Sequence, residues 1–385
     1  MIKLKIRNFR SIRKAELNLT PLTILYGPNG AGKSSLLYSL MVLKKIALNP
    51  AQSMENFFNL GFLNMGGFEQ VVFDHKENNS IDLTVETDEK VVYGVSLNPH
   101  KSFFRILLPN CKEERLLVSF PYPTNKKARI SVGNDIIIYW NGVTAYSVEC
   151  SENNLDKANS WMTLINSPVE LLRQVEMVSL RRGFTKPIYN PVNLTSMMSS
   201  EDEIATLLES NRYLENKVKS YSGDIFGKYF SVRPQRGVAL FYLQMVDEMG
   251  LTSELINEGF GLNQTIFMLA KLLKHDTKIL LVEEPEIHLH PTAQRKLVHA
   301  FIRAIKEEGK HIVISTHSEH ILLSVLSSVA GGKISPEEVS CYLVKKKRKE
   351  SVIQQQKVNE KGQIENGLSS FLEGELEDIK TLLGG

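Results

Sequence analysis

The chain has 385 residues, of which 42% are apolar and 23% charged, ordinary values for a soluble globular protein of two or three domains, or of one large domain with insertions. A formal net charge of +3 makes no case for nucleic-acid binding by itself, and no apolar run reaches the length that crosses a bilayer. Cys111, Cys150 and Cys341 lie far apart without disulfide or metal spacing, which predicts reduced thiols and a cytoplasmic protein.

Residues 2–7 alternate apolar and basic side chains like a half-buried strand, with no signal-peptide core. Asn8-Phe9-Arg10-Ser11-Ile12 turns the chain into a second strand, Ala15 to Leu19. A short apolar strand follows, Leu22 to Tyr26, and then Gly27-Pro28-Asn29-Gly30-Ala31-Gly32-Lys33-Ser34, with Ser35 next. This reads G-x-x-x-x-G-K-[ST], the phosphate-cradling loop of nucleotide hydrolases. Its glycines let successive backbone N–H groups point inward at phosphate oxygens, and the helix that begins there adds partial positive charge. Lys33 is expected at the β- and γ-phosphates, and the Ser34 hydroxyl at Mg²⁺. Leu36, Leu37, Leu40, Met41 and Leu43 continue at helical spacing.

From Ile81 to Val148 the chain reads as short alternating strands parted by turn residues such as Asn98-Pro99, Pro109-Asn110 and Asn141-Gly142. Helices are predicted from Pro168 through Val175, over the charged stretch Glu201–Tyr221, and from Ala239 to Met249. No heptad pattern persists, so a long coiled coil is not expected. Between Asn257 and Lys274, Glu258-Gly259-Phe260-Gly261-Leu262-Asn263-Gln264 opens an apolar helix, with Asn263 as its N-cap.

Ile279-Leu280-Leu281-Val282-Glu283-Glu284-Pro285-Glu286 is a buried strand ending in acids. At the rim of a phosphate loop the first carboxylate binds Mg²⁺ and the second orients and deprotonates water, roles that fall to Glu283 and Glu284. Glu283 stands where Asp is usual. Glu286, His288 and His290 lack a further ligand cluster, so they predict a structural role and not zinc. His311 to Thr316 is the next buried strand, ending at His317. Val339–Val344 and Ser351–Val358, parted by Lys345-Lys346-Lys347-Arg348-Lys349, read as a hairpin with a basic turn.

The N-F-R-S-I turn about twenty residues before G-P-N-G-A-G-K-S resembles the heads of the SMC, RecF and OLD families, ABC-type ATPases that act on DNA. The run Glu284-Pro285-Glu286-Ile287-His288-Leu289-His290-Pro291 resembles the OLD group most closely. The resemblance implies an α/β fold: a P-loop NTPase core of the ABC-ATPase head type with an inserted antiparallel β lobe and a helical segment. It implies ATP and Mg²⁺ as cofactors and ATP hydrolysis, with Arg10 as a further nucleotide contact and His317 at the γ-phosphate. It also implies that Gly261 and Asn263 belong to a signature turn capping the ATP of a partner subunit, hence a homodimer closed around ATP. Leu180-Arg181-Arg182-Gly183 resembles the arginine-bearing strand end of OLD-like ATPases, where either arginine approaches nucleotide or partner, unless it forms a surface salt bridge. DNA and a separate nuclease protein are the implied partners, since nothing after His317 supplies the acidic cluster of an OLD nuclease domain.

The expected division is a lobe with phosphate loop and β insertion over about 1–190, a helical and acidic-strand lobe over about 191–330, and a hairpin and helix over about 331–385. Two other classes stay open: an ATP-dependent clamp with little turnover, and a transporter ATPase. The second fits less well, because the signature is not L-S-G-G-Q.

Overall fold

The computed structural model describes residues 1–133, 135–195 and 199–364. In chain order the elements begin with β1 (Ile2–Phe9), β2 (Ile12–Leu19), β3 (Leu22–Tyr26), α1 (Lys33–Leu48), α2 (Met54–Phe57) and α3 (Phe68–Val71). Seven strands follow: β4 (Ile81–Glu86), β5 (Val92–Leu97), β6 (Ser102–Leu107), β7 (Glu114–Val118), β8 (Ala128–Val132), β9 (Ile136–Trp140) and β10 (Ala145–Glu149). Next come α4 (Leu155–Arg173), β11 (Val175–Val178), α5 (Glu201–Ser210), α6 (Arg212–Phe226), β12 (Tyr229–Pro234), β13 (Phe241–Val246) and β14 (Thr252–Glu254). The last elements are α7 (Phe260–Leu273), β15 (Ile279–Glu283), α8 (Pro291–Glu308), β16 (His311–Thr316), α9 (Glu319–Ala330), β17 (Val339–Lys347) and β18 (Glu350–Gln356).

These elements form two compact units that interleave in sequence, where the sequence reading divides the chain linearly near 190 and 330. One unit comprises Met1–Leu19, Ser34–Val175 and Lys345–Val352. Its six-stranded sheet has the order β2-β1-β4-β5-β6-β7, with antiparallel neighbours throughout. One face of this sheet is buried: Ile2, Leu4 and Ile6 of β1 alternate with Lys3, Lys5 and Arg7, which face outward. A second small sheet, β10-β9-β8, carries Trp140, which is fully buried and lies edge-on to Tyr93.

The other unit comprises Thr20–Lys33, Glu176–Val344 and the described residues from Ile353 onward. The central sheet runs β11-β15-β16-β3-β17-β18, and β15, β16, β3 and β17 are parallel in succession. All five residues of β3 and all five of β15 are buried, as strands covered on both faces require. Helices α7, α8 and α9 supply Ile266, Leu269, Leu297, Phe301, Ile321 and Val325 to the same core.

Three helix expectations change. Ala239–Met249 is not helical: Phe241, Leu243 and Met245 are buried and alternate with half-buried Tyr242, Gln244 and Val246, a period of two that pairs β13 with β12 and β14. The helix around Pro168 is α4, which begins at Leu155 and ends before Val175, the first residue of β11. Glu201–Tyr221 divides at Asn211, whose side chain accepts from the Leu214 amide at 3.1 Å and so caps a second helix. The hairpin of β17 and β18 is present; a C-terminal helix would lie outside the described residues. Among the described residues no helix is long and apolar enough to cross a membrane.

Candidate functional site

Parallel pairing puts the carboxyl ends of β15, β16 and β3 along one edge, where Glu283 registers with Ser315 and Thr316 with Tyr26. Ligands of open parallel sheets gather at such edges. The loop leaving β3 bends through Gly27 (φ +139°), Gly30 (φ +72°) and Gly32 (φ +107°), left-handed values that favour glycine. A Cβ on Gly27 would lie 2.1 Å from the Val344 carbonyl oxygen, whereas one on Gly30 would meet nothing within 4 Å. Gly30 therefore borders open space and Gly27 is fixed by packing. Pro28, Asn29 and Gly30 are exposed; Ala31 is buried, and its amide donates to the Pro28 carbonyl at 3.4 Å. Among the described residues the amides of Asn29, Gly30 and Gly32 donate to no backbone carbonyl.

Lys33 opens α1, and half-buried Ser34 and buried Ser35 follow it. Lys33 is only 6% exposed as a residue, and its ammonium donates to the carbonyls of Gly27 at 2.8 Å and Pro28 at 3.0 Å. Burial pulls its pKa below the usual lysine value, opposed by the carboxylates of Glu284 and Glu286. Unused amide donors around a desolvated cation make a cradle that fits an oligophosphate.

The acidic turn is tightly organised. Glu283, the last residue of β15, is 1% exposed. Glu284 adopts φ +42°, and its amide donates to the Ser315 carbonyl at 2.8 Å. Its Oε2 lies 3.2 Å from His317 Nε2. Glu286 is buried; its Oε1 accepts from the Thr316 hydroxyl at 2.7 Å and from the His317 amide at 3.0 Å. Glu286 thus fixes the end of β16, and through it the place of His317. A carboxylate and an imidazole so held can orient water and accept its proton. The carboxylates of this turn suit Mg²⁺, which is held by one or two carboxylates and leaves its other positions to water and phosphate oxygens. Among the described residues no group of three or more His, Cys, Asp or Glu is arranged as a metal site. His290 instead caps α8, its Nδ1 accepting from the Thr292 amide at 3.3 Å.

A model of the AAA ATPase domain matches residues 1–137 and 152–322, most of the chain and both halves of this edge. The chain belongs to the AAA ATPase domain family. This AAA ATPase is 24% identical over 336 residues to an OLD nuclease of Thermus scotoductus, a match covering 82% of the chain and 58% of that relative's length. In fold it resembles a solved SMC head bound to the C-terminal winged-helix domain of ScpA: TM-score 0.50, 9% identity, 92% of this chain and 96% of that one. It likewise resembles an SMC head with an extended coiled coil, bound to the C-terminal domain of ScpA derived from Pyrococcus furiosus: TM-score 0.50, 10% identity, 99% and 100% coverage. The mixed α/β architecture with several sheets is the fold of the SMC heads it resembles.

Two expected residues of the AAA ATPase are placed otherwise than the sequence predicts. Gly261 is buried, and a Cβ there would lie 2.2 Å from the His288 carbonyl oxygen, so it is a packing glycine. Asn263 is 6% exposed and is not the N-cap of α7; Gly259 is. The Asn263 carboxamide pairs with Phe184, accepting from its amide at 2.7 Å and donating to its carbonyl at 2.9 Å. What α7 presents outward is Gly259 and Phe260, the ring 75% exposed and 5.7 Å from the ring of His288.

Arg10 lies in the unit of β1 and β2. Its φ is +52°, its amide donates to the Val71 carbonyl at 2.6 Å, and its guanidinium sits 5.7 Å from the Tyr38 ring of α1. Of the arginine pair, Arg181 is exposed, while Arg182 turns inward to the carbonyls of Glu283 and Glu284.

Proposed function

We propose that this AAA ATPase binds and slowly hydrolyses ATP and couples that cycle to dimerisation and to DNA, in maintenance or in defence against phage or plasmids, with a partner protein such as a nuclease. The observation that carries the reading is the Glu284–His317 pair, 3.2 Å apart on the ends of adjacent parallel strands, with the buried Lys33 ammonium in the field of Glu284 and Glu286. Glu284 accepts the proton of the attacking water, while Lys33 and His317 stabilise charge on the γ-phosphate. The amides from Gly27 to Ser35 hold the phosphate chain, with Arg10 as an additional contact. Ser34 and Glu283 would hold Mg²⁺, which would supply charge neutralisation to the phosphate chain. Gly259 and Phe260, exposed at the start of α7, are the part of the signature turn free to meet a second copy.

The DNA side of the reading is supported by the outward face of the six-stranded sheet. Lys5, Arg7, Lys14 and Arg105, with Glu16 and Asp82, line a groove of about 330 Å³. Arg7 and Lys14 face one another across β1 and β2, are exposed, and form no ion pair among the described residues. The basic turn Lys345–Lys349 belongs to the same unit, where the Ser351 amide donates to the Ser11 carbonyl at 2.8 Å. Such clustered cations suit a phosphate backbone.

The test is Glu284→Gln. Its amide can hold water but cannot take the proton, so turnover should fall about 10²- to 10⁴-fold while Mg-ATP affinity is kept. Light scattering of the same variant should show dimers with Mg-ATP and fewer without it. Wild-type turnover in the variant would place the base elsewhere; wild-type protein that binds ATP without turnover would leave the clamp reading in its place.

A further inference from the structure

We infer that Arg182 is a positioning residue for Glu284: its buried guanidinium holds the carbonyls of the Glu283–Glu284 turn and thereby fixes the carboxylate against His317. The inference rests on the hydrolytic role proposed for Glu284. Arg182 follows the end of β11, the strand beside β15 in the central sheet. Its Nη1 donates to the Glu283 carbonyl and, at 3.3 Å, to the Ser179 carbonyl; its Nη2 donates to the Glu284 carbonyl at 2.7 Å. It therefore reaches two consecutive carbonyls through separate nitrogens of one rigid planar fork, a geometry that an ammonium, a point charge on a flexible stem, does not reproduce.

The residue it holds is one that needs holding. Glu284 has φ +42°, left-handed backbone that an L side chain adopts only under constraint. Its amide is fixed by Ser315 on β16, and its carbonyl by Arg182 and, at 3.2 Å, by the Ile287 amide. Release the guanidinium, and one of the constraints on this peptide is gone. The carboxylate would then leave its 3.2 Å approach to His317.

Arg182 is itself anchored from behind. Gly183, at φ +119°, would bring a Cβ to 2.9 Å from Asn263 Oδ1, and the next residue, Phe184, is bonded at both its amide and carbonyl to the Asn263 carboxamide. The loop from Ser179 to Phe184 is thus tied to α7 at one end and to the acidic turn at the other. Burial lowers the Arg182 pKa to about 10 against the pull of Glu286, Glu283 and Glu284, so the guanidinium stays charged at neutral pH.

Arg182→Lys and Arg182→Ala, made in the full chain, test this. Expected is a kcat about 100-fold down, the scale of an ångström's misplacement, with calorimetric Mg-ATP affinity within about threefold of wild type. Free guanidinium ion should restore part of the turnover of Arg182→Ala. Adding Arg182→Lys to Glu284→Gln should cost nothing further, because the residue acts through Glu284. A loss of affinity that accounts for the whole loss of kcat/KM, additive effects in the double variant, or failure of both variants to fold would each make Arg182 a binding or structural residue and overturn the inference. Hydrolysis by wild type that survives Arg182→Lys refutes this role alone; no hydrolysis by wild type refutes the hydrolytic reading and this role with it.

Discussion

The carboxyl edge of the parallel sheet and the N-terminus of α7 use polar side chains in opposite ways. At the sheet edge Glu284, Glu286 and His317 are bonded to one another or to β16, and Lys33, in the field of both carboxylates, is bonded to a loop that is open at Gly30. At α7 the polar residue, Asn263, is consumed inside the fold by Phe184, and the outward position belongs to an aromatic ring, Phe260. A motif position is therefore not a surface position. Residues that must meet each other within one chain leave a mutual geometry that can be inspected; a turn expected to meet a second copy shows only which of its atoms face out.

Three substitutions test this contrast. The largest effect is expected from Lys33→Ala, which leaves the phosphate oxygens without their buried cation; Mg-ATP affinity should fall at least about 100-fold in a calorimetric titration. Unchanged affinity would mean the cradle is not where nucleotide binds. Gly261→Ala should come next, through stability: its Cβ meets backbone at 2.2 Å, so unfolding free energy should drop by about 1–3 kcal/mol in a urea titration. A variant as stable as wild type would show that α7 has room to move away from His288. The smallest effect on the fold belongs to Phe260→Ala, about 0.5 kcal/mol or less for a ring so exposed. Its signature lies elsewhere, in weaker Mg-ATP-dependent self-association by light scattering. Association at wild-type strength would remove α7 from the interface.

Much of this was legible in the sequence. Leu22–Tyr26 and His311–Thr316 are strands at the residues their apolar-rich runs delimit, because a strand buried on both faces reads as a near-continuous apolar run, here with Thr23, Ser315 and Thr316 as the buried polar residues. The glycine loop was legible because Gly27 and Gly32 occupy backbone that other residues rarely adopt. The role of Glu286 was not: its spacing marks it as an acid beside Glu284, and only the folded chain shows its Oε1 spent on Thr316 and His317. The inward turn of Arg182 was likewise hidden, since its partners are carbonyls about a hundred residues away and a carbonyl has no sequence signal. Ala239–Met249 reads as a helix in sequence because it is rich in residues that suit either state; the ladder of β13 with β12 is what makes it a strand.

The place of β3 between β16 and β17 bears on how the protein is made. Leu22 finds its neighbours at Ile312 and Val339, so the strand that carries the phosphate loop is synthesised about 290 residues before anything can pair with it. At about 5–20 residues per second, it waits roughly fifteen seconds to a minute on the ribosome as a bare apolar segment. Contacts so distant in sequence close slowly and leave edges open meanwhile. Recombinant yield should therefore depend on slow, cool expression, and a chain truncated before Val339 should accumulate as aggregate instead of as a smaller folded head.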